Sequence, residues 1–186
     1  MKNVYITAIA ATLPNEPVSN DDMESVLGQA GEQPSRARRV ILKSNKIKNR
    51  YYAVDPKTGK PTHTNAELTA EAIKALGAPY ADELDCLVCG TSMPDQLMPN
   101  HAVMVHGELA NPPCEVVATA GVCLAGMSAL KYGWMAVATG QHKRVVSTGS
   151  EVASAVMRGK LFEPETAAAL DTLEKKPEVA FDKDFL

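Results

Sequence analysis

The stretch Val116-Val-Ala-Thr-Ala-Gly-Val-Cys123-Leu-Ala-Gly-Met-Ser-Ala-Leu130 decides how this 186-residue chain is read. Its apolar start reads as a buried strand, its small residues as a turn, and its continuation as a helix over roughly 122–139. Strand, tight turn and helix in that order put Cys123 in the first helical turn, where unpaired N–H groups and the helix dipole favour a thiolate. The thiolate is the nucleophile, so the placement fits a cysteine that carries an acyl group. The Cys123 N–H would face the oxyanion formed as an acyl carbonyl is attacked. A small core cysteine fits the same spacing, and the pattern alone leaves both readings open. The helix is apolar on nearly every side, from Leu124 and Met127 to Trp134, Met135 and Val137, which predicts burial all round. Ala125, Gly126, Ser128, Ala129 and Gly133 predict close approach by its neighbours.

Upstream, Asp85-Cys-Leu-Val-Cys-Gly90 reads as a second buried strand, which sends Cys86 and Cys89 to opposite faces. Their Cys-x-x-Cys spacing therefore reads as core packing, and no second pair completes a zinc set. No metal site is assigned. The loop Gly90–Asp95 follows the carboxyl end of that strand, where ligands gather in α/β sheets. Helices are expected at 100–109 and after Thr64-Asn-Ala-Glu67, a capping box. Further strands are expected at 114–118 and 142–149, and a first strand at 2–13 from Val4, Ile6, Ala8 and Ile9. The basic run 32–46 reads as a solvated helix face, or as an edge that meets an acidic carrier or a phosphate. Strands alternating with helices make the fold class α/β.

With 45% hydrophobic residues and a net charge of -3, the chain reads as a globular domain or one half of a duplicated one. No basic-aromatic interleaving points to nucleic acid. No apolar run approaches the roughly 18 residues of a membrane span, and the start lacks a signal-peptide pattern, so the expected compartment is the cytoplasm. Residues 163–184 are rich in Glu, Asp, Lys and Pro and read as a surface insertion. The apolar pattern that restarts at Val179 and Phe185 breaks off at Leu186, which reads as a truncated or cleaved longer protein.

Cys123-Leu-Ala-Gly126 after an apolar strand resembles the nucleophile motif of the thiolase and ketoacyl synthase superfamily. Gly90-Thr-Ser-Met-Pro-Asp95 through Met98-Pro-Asn-His-Ala102 resembles the loop and helix start of β-ketoacyl-ACP synthase III enzymes, and Ile47-Lys-Asn-Arg50 their Ile-x-x-Arg. The likeness covers about residues 2–160. It implies the N-terminal half of a duplicated five-layer αβαβα sandwich, with Cys123 as the acyl-carrying nucleophile and Met98 at a substrate tunnel or dimer gate. It implies a homodimer that takes acyl groups from acyl carrier protein or coenzyme A thioesters, with no cofactor. Decarboxylative Claisen condensation with malonyl-ACP would follow, in fatty acid or secondary-metabolite synthesis of the dialkylresorcinol or polyene type.

Family members complete the site with a His and an Asn from the second half, and this chain ends before either. His63, His101, His106 and His142 match no such motif and read as surface or loop residues. This half alone is expected to accept an acyl group and not to condense it. Ser44, Asn45 and Lys46 stand where coenzyme A users carry Arg and Gly, which favours a carrier-protein donor. A thiolase or HMG-CoA-synthase-like enzyme is the enzymatic alternative. A non-catalytic dimerisation or carrier-docking module is the other.

Overall fold

The structure, a computed structural model, describes residues 2–29, 38–78, 80–161 and 175; the expected insertion at 163–184 lies almost wholly outside them. The elements in chain order are β1 (Val18–Ser19), α1 (Met23–Leu27), α2 (Arg38–Asn45), β2 (Asn49–Arg50) and α3 (Asn65–Lys74). They continue with β3 (Cys86–Gly90), α4 (His101–Leu109), β4 (Glu115–Thr119), α5 (Ala125–Thr139) and β5 (Val145–Gly149). The chain divides into two compact units.

The larger unit, residues 1–17 and 51–155, holds a three-stranded parallel sheet in the order β4-β3-β5. Parallel neighbours need crossovers, and α4 and α5 supply them. Side chains of β3 alternate between two cores. Leu87 and Cys89 pack with Ala66, Ala70, Ile73, Ala102 and Val105 of α3 and α4. Cys86 and Val88 pack with Ala129 of α5. The opposite-facing cysteines expected from the period of two are observed, both fully buried.

The α5 backbone lies almost on the sheet because glycines meet it there. A Cβ on Gly90 would sit 2.3 Å from the Ala125 carbonyl oxygen, and one on Gly133 would sit 2.5 Å from Ser147 Oγ. Across the same contact, a Cβ on Gly126 would sit 3.2 Å from the Gly149 Cα, and one on Gly149 3.1 Å from the Gly126 Cα. Helix α3 opens on the expected capping box, with Glu67 N donating to Thr64 Oγ1 at 3.1 Å and Thr64 N to Glu67 Oε2 at 2.7 Å.

Two expectations are corrected. Residues 2–13 form no strand: Tyr5, Ile6, Ile9 and Leu13 are exposed, although Lys2 N donates to Ala138 O at 2.9 Å and Asn15 anchors to Tyr52 O at 2.7 Å. The segment bounds one side of a cavity of about 1550 Å³, whose other walls include Ile73, Leu130, Trp134 and Val146. It thus stands off the β5 edge that its alternating pattern would suit. The second correction concerns α5, which is not buried all round. Ala125, Ala129, Gly133 and Ala136 face the sheet, while Leu124, Met127, Leu130, Trp134 and Met135 are exposed. Small residues on the sheet side and large ones outside invert the usual amphipathic arrangement.

The smaller unit, Val18–Arg50 with 156–186, pairs β1 antiparallel to β2. Arg50 Nη1 donates to Asn20 Oδ1 and Asn20 Nδ2 donates to Ile47 O at 2.7 Å, so the Ile47–Arg50 stretch is tied to the turn after β1. Within the basic run α2 forms, with Val40 and Ile41 exposed.

Two stability effects are expected. Gly90→Ala pushes a methyl into backbone that cannot swing aside, and should cost about 3 kcal/mol in urea unfolding. Glu67 is held below its ordinary range, chiefly by the Thr64 backbone N–H and then by the Thr64 hydroxyl. A depressed carboxylate stabilises the fold above its unfolded pKa and loses that stabilisation as pH falls through the folded value. Glu67→Gln should therefore flatten the acid limb of the stability–pH curve.

Candidate functional site

The register pairs Gly90 with Thr119 and with Gly149, so the carboxyl ends of the three strands lie side by side. One bond extends each ladder: Thr91 N donates to Thr119 O at 3.0 Å and Ser150 N to Gly90 O at 3.1 Å. From that edge β4 runs into a tight turn. Gly121 has φ 145° and Val122 φ 51°, a left-handed conformation that a β-branched residue adopts at a cost of about 1–3 kcal/mol. Val122–Leu124 form one 3-10 turn, closed by Leu124 N donating to Gly121 O at 2.9 Å, and α5 begins at Ala125. Thr119 Oγ1 donates to the Ala125 carbonyl at 2.9 Å and pins strand end to helix start. Cys123 therefore stands at the tip of a strained strand-to-helix corner, at the ligand-binding end of a parallel sheet.

Burial separates the four cysteines. Cys123 is exposed. Burial pushes Cys86 to about 12 and Cys89 to about 11, and raises Cys114 as well, so all three are thiols at neutral pH. At that pH they supply almost no thiolate.

Beside the corner, a buried polar network holds the loop after β3. Asn65 Nδ2 donates to Thr91 Oγ1 and to Met93 O, each at 2.9 Å. Asp95 caps α3 from outside, accepting from Asn65 N at 2.8 Å and Ala66 N at 2.9 Å. Glu151 accepts from Ser92 N at 2.7 Å. The Thr69 hydroxyl gives its one proton to Asn65 O at 2.7 Å, so the Ser150 hydroxyl, also 2.7 Å away, donates to Thr69. That leaves His101 Nε2, 3.3 Å from both oxygens, as a donor.

His101 is only 2% exposed, against the expectation of a surface residue. Burial lowers its pKa, opposed by Asp95 and then Glu151. The hydrogen-bond pattern puts the proton on Nε2, and burial disfavours a second one on Nδ1, which has no hydrogen-bond partner among the described residues. No sequence pattern marks His101, because its partners come from α3 and from the end of β5. His142 is also largely buried, 14% exposed at the side chain.

Met98 lies outside this network, 86% exposed with Leu97 in the same loop. Neither Met98 nor Cys123 lines the cavity beneath residues 3–14. The hydrogen-bonded base of the loop and its exposed tip are therefore separate. Among the described residues the one group of three metal-ligating side chains, Cys86, Glu115 and His142, lies at the opposite end of the sheet. No described helix is long and apolar enough to cross a membrane.

No protein-family model matches the chain. It is 27% identical over 158 residues to β-ketoacyl-[acyl-carrier-protein] synthase III of Xanthomonas oryzae, a match that covers 84% of this chain and 46% of that protein. Among solved structures, the synthase III of Thermus thermophilus superposes with a TM-score of 0.63 at 24% identity, over 81% of this chain and 44% of that one. A variant of Xanthomonas campestris OleA superposes with a TM-score of 0.66 at 17% identity, over 91% of this chain and 50% of that one. The fold is α/β of the thiolase-like kind, and the chain spans about half the length of the relatives it matches.

The exposure pattern has a direct chemical readout. In native buffer one thiol per chain should react rapidly with a disulfide reagent, and Cys123→Ala should remove that reaction. All four thiols react only after denaturation.

Proposed function

We propose that this chain is the nucleophile-bearing N-terminal half of a condensing acyltransferase of the β-ketoacyl-ACP synthase III kind. The observation that carries the reading is Cys123, the exposed cysteine among four, at a strained strand-to-helix corner at the carboxyl end of the sheet. The similarity to synthase III proteins over 84% of the chain supports it.

In this reading the Cys123 thiolate attacks an acyl thioester carbonyl. A bond forms from sulfur to the acyl carbon, the carrier's sulfur leaves with the electron pair and takes up a proton, and the acyl group stays on Cys123. The Cys123 backbone N–H faces the oxyanion that forms on the way. Malonyl-ACP would supply the carbanion for decarboxylative Claisen condensation, in fatty acid or secondary-metabolite synthesis. The groups that assist decarboxylation would come from a second half-fold.

The exposed apolar surface of α5 outside the cavity beneath residues 3–14, with Met135, suits coverage by that second half. The exposed tip at Leu97 and Met98 suits contact with another surface, in this reading a partner protomer of a homodimer whose acyl tunnel Met98 gates. The donors are acyl carrier protein or coenzyme A thioesters, and the setting is cytoplasmic.

Intact mass spectrometry after incubation with acyl-ACP and acyl-CoA tests the nucleophile. One acyl group per chain is expected, lost on hydroxylamine treatment and absent from Cys123→Ala. An adduct that survives in Cys123→Ala, or none with either donor, would sink the reading.

A further inference from the structure

At the end of the sheet remote from Cys123, three donor atoms of different chemistry converge. Cys86 and Glu115 are paired residues at the starts of β3 and β4, and His142 precedes β5. Their ligand atoms all lie within 4.8 Å of one another. The cysteine is fully buried, His142 is 14% exposed and Glu115 34%, so the cluster has a dry floor and an open mouth.

The atoms that do not converge already have neighbours. Tyr132 on α5 donates its hydroxyl to Glu115 Oε1 at 2.6 Å, which leaves Oε2 facing the cluster. His142 Nε2 is hydrogen-bonded to that Oε2, and Gln141 Nε2 reaches it at 3.5 Å. On the far side of the ring, His142 Nδ1 lies 3.8 Å from Asp85 Oδ1. Asp85 is itself held by the backbone N–H groups of Lys143 at 2.9 Å and Arg144 at 3.0 Å. A donor on the outer carboxylate oxygen is what orients a carboxylate ligand toward a metal, and Asp85 stands near enough to the outer imidazole nitrogen to take up its proton by a small side-chain movement.

We propose that Cys86 Sγ, Glu115 Oε2 and His142 Nε2 bind one divalent cation of the zinc class, with water in the fourth position. Sulfur, imidazole nitrogen and carboxylate oxygen together suit zinc better than magnesium or calcium, which take oxygen alone. Metal–ligand bonds of about 2.0–2.3 Å in a tetrahedron put ligand atoms about 3.3–3.6 Å apart, so the cluster closes by side-chain adjustment without moving the strands. On binding, the Cys86 thiol proton passes to solvent. The imidazole proton moves from Nε2 to Nδ1, beside Asp85, and the metal takes the place it held between His142 and Glu115. The ion would clamp the starts of β3 and β4 to the chain entering β5, and it takes no part in chemistry at Cys123.

The test uses the full chain carrying Cys123→Ala, which removes the exposed thiol as a competing ligand. After chelator treatment, zinc titration against a chromophoric chelator should show one ion per chain. Cobalt(II) loading should give a thiolate-to-cobalt charge-transfer band in the near ultraviolet. Cys86→Ser should abolish that band, His142→Ala should weaken zinc binding at least about tenfold, and Tyr132→Phe should weaken it by about tenfold. Absence of stoichiometric zinc binding overturns the proposal, and so does a charge-transfer band that persists in Cys86→Ser. Should Cys86→Ser fail to fold, His142→Ala decides: unchanged zinc affinity in that variant overturns the site.

Discussion

The close approach of α5 to the sheet is the constraint on which the rest of the larger unit depends. At Gly90 the strand end and the first carbonyl of α5 are so near that no Cβ fits between them, and at Gly133 the space belongs to Ser147 Oγ. This contact is made largely by backbone, with Thr119 Oγ1 bonded to the same Ala125 carbonyl. It fixes where α5 starts, and therefore where Cys123 stands relative to the strand ends. The strain at Val122 follows, because the chain must turn from β4 into a helix whose position is already set.

The same contact explains the unusual helix. A helix that must lie on a sheet at backbone distance can carry only small residues on that side, and α5 uses Ala125, Ala129, Gly133 and Ala136 there. Its large apolar residues are left to the opposite side, where Met127, Leu130 and Trp134 line the cavity beneath residues 3–14. Composition alone cannot separate such a helix from one buried on every side, since both are apolar throughout. The burial expected for Met127 and Trp134 failed for this reason, while the small-residue stripe was legible.

Legibility elsewhere followed the range of the interactions. The strands at Cys86–Gly90, Glu115–Thr119 and Val145–Gly149, and the Thr64 capping box, rest on local patterns and were readable to within a few residues. Residues 2–13 carry a strand's alternation but form no ladder, because pairing with a distant edge is a tertiary matter. The placement of Cys123 at a strand-to-helix corner was legible from its local pattern. His101 and the Cys86–Glu115–His142 cluster were not. Their partners are 27 to 56 positions apart in the chain and meet only through helix packing and sheet register, which no short spacing encodes.

The left-handed Val122 bears on any attempt to improve this protein by selection. Stability there is forfeited at a single residue, and glycine or asparagine would recover part of it without touching the core. A screen that scores only soluble expression or heat resistance would therefore be drawn to the corner that presents Cys123. It would favour a looser or differently aimed thiol before any gain elsewhere in the sheet. Selection for robustness and selection for the present placement of the Cys123 thiol pull against each other at this position, so a campaign on this fold should read out thiol reactivity alongside melting temperature.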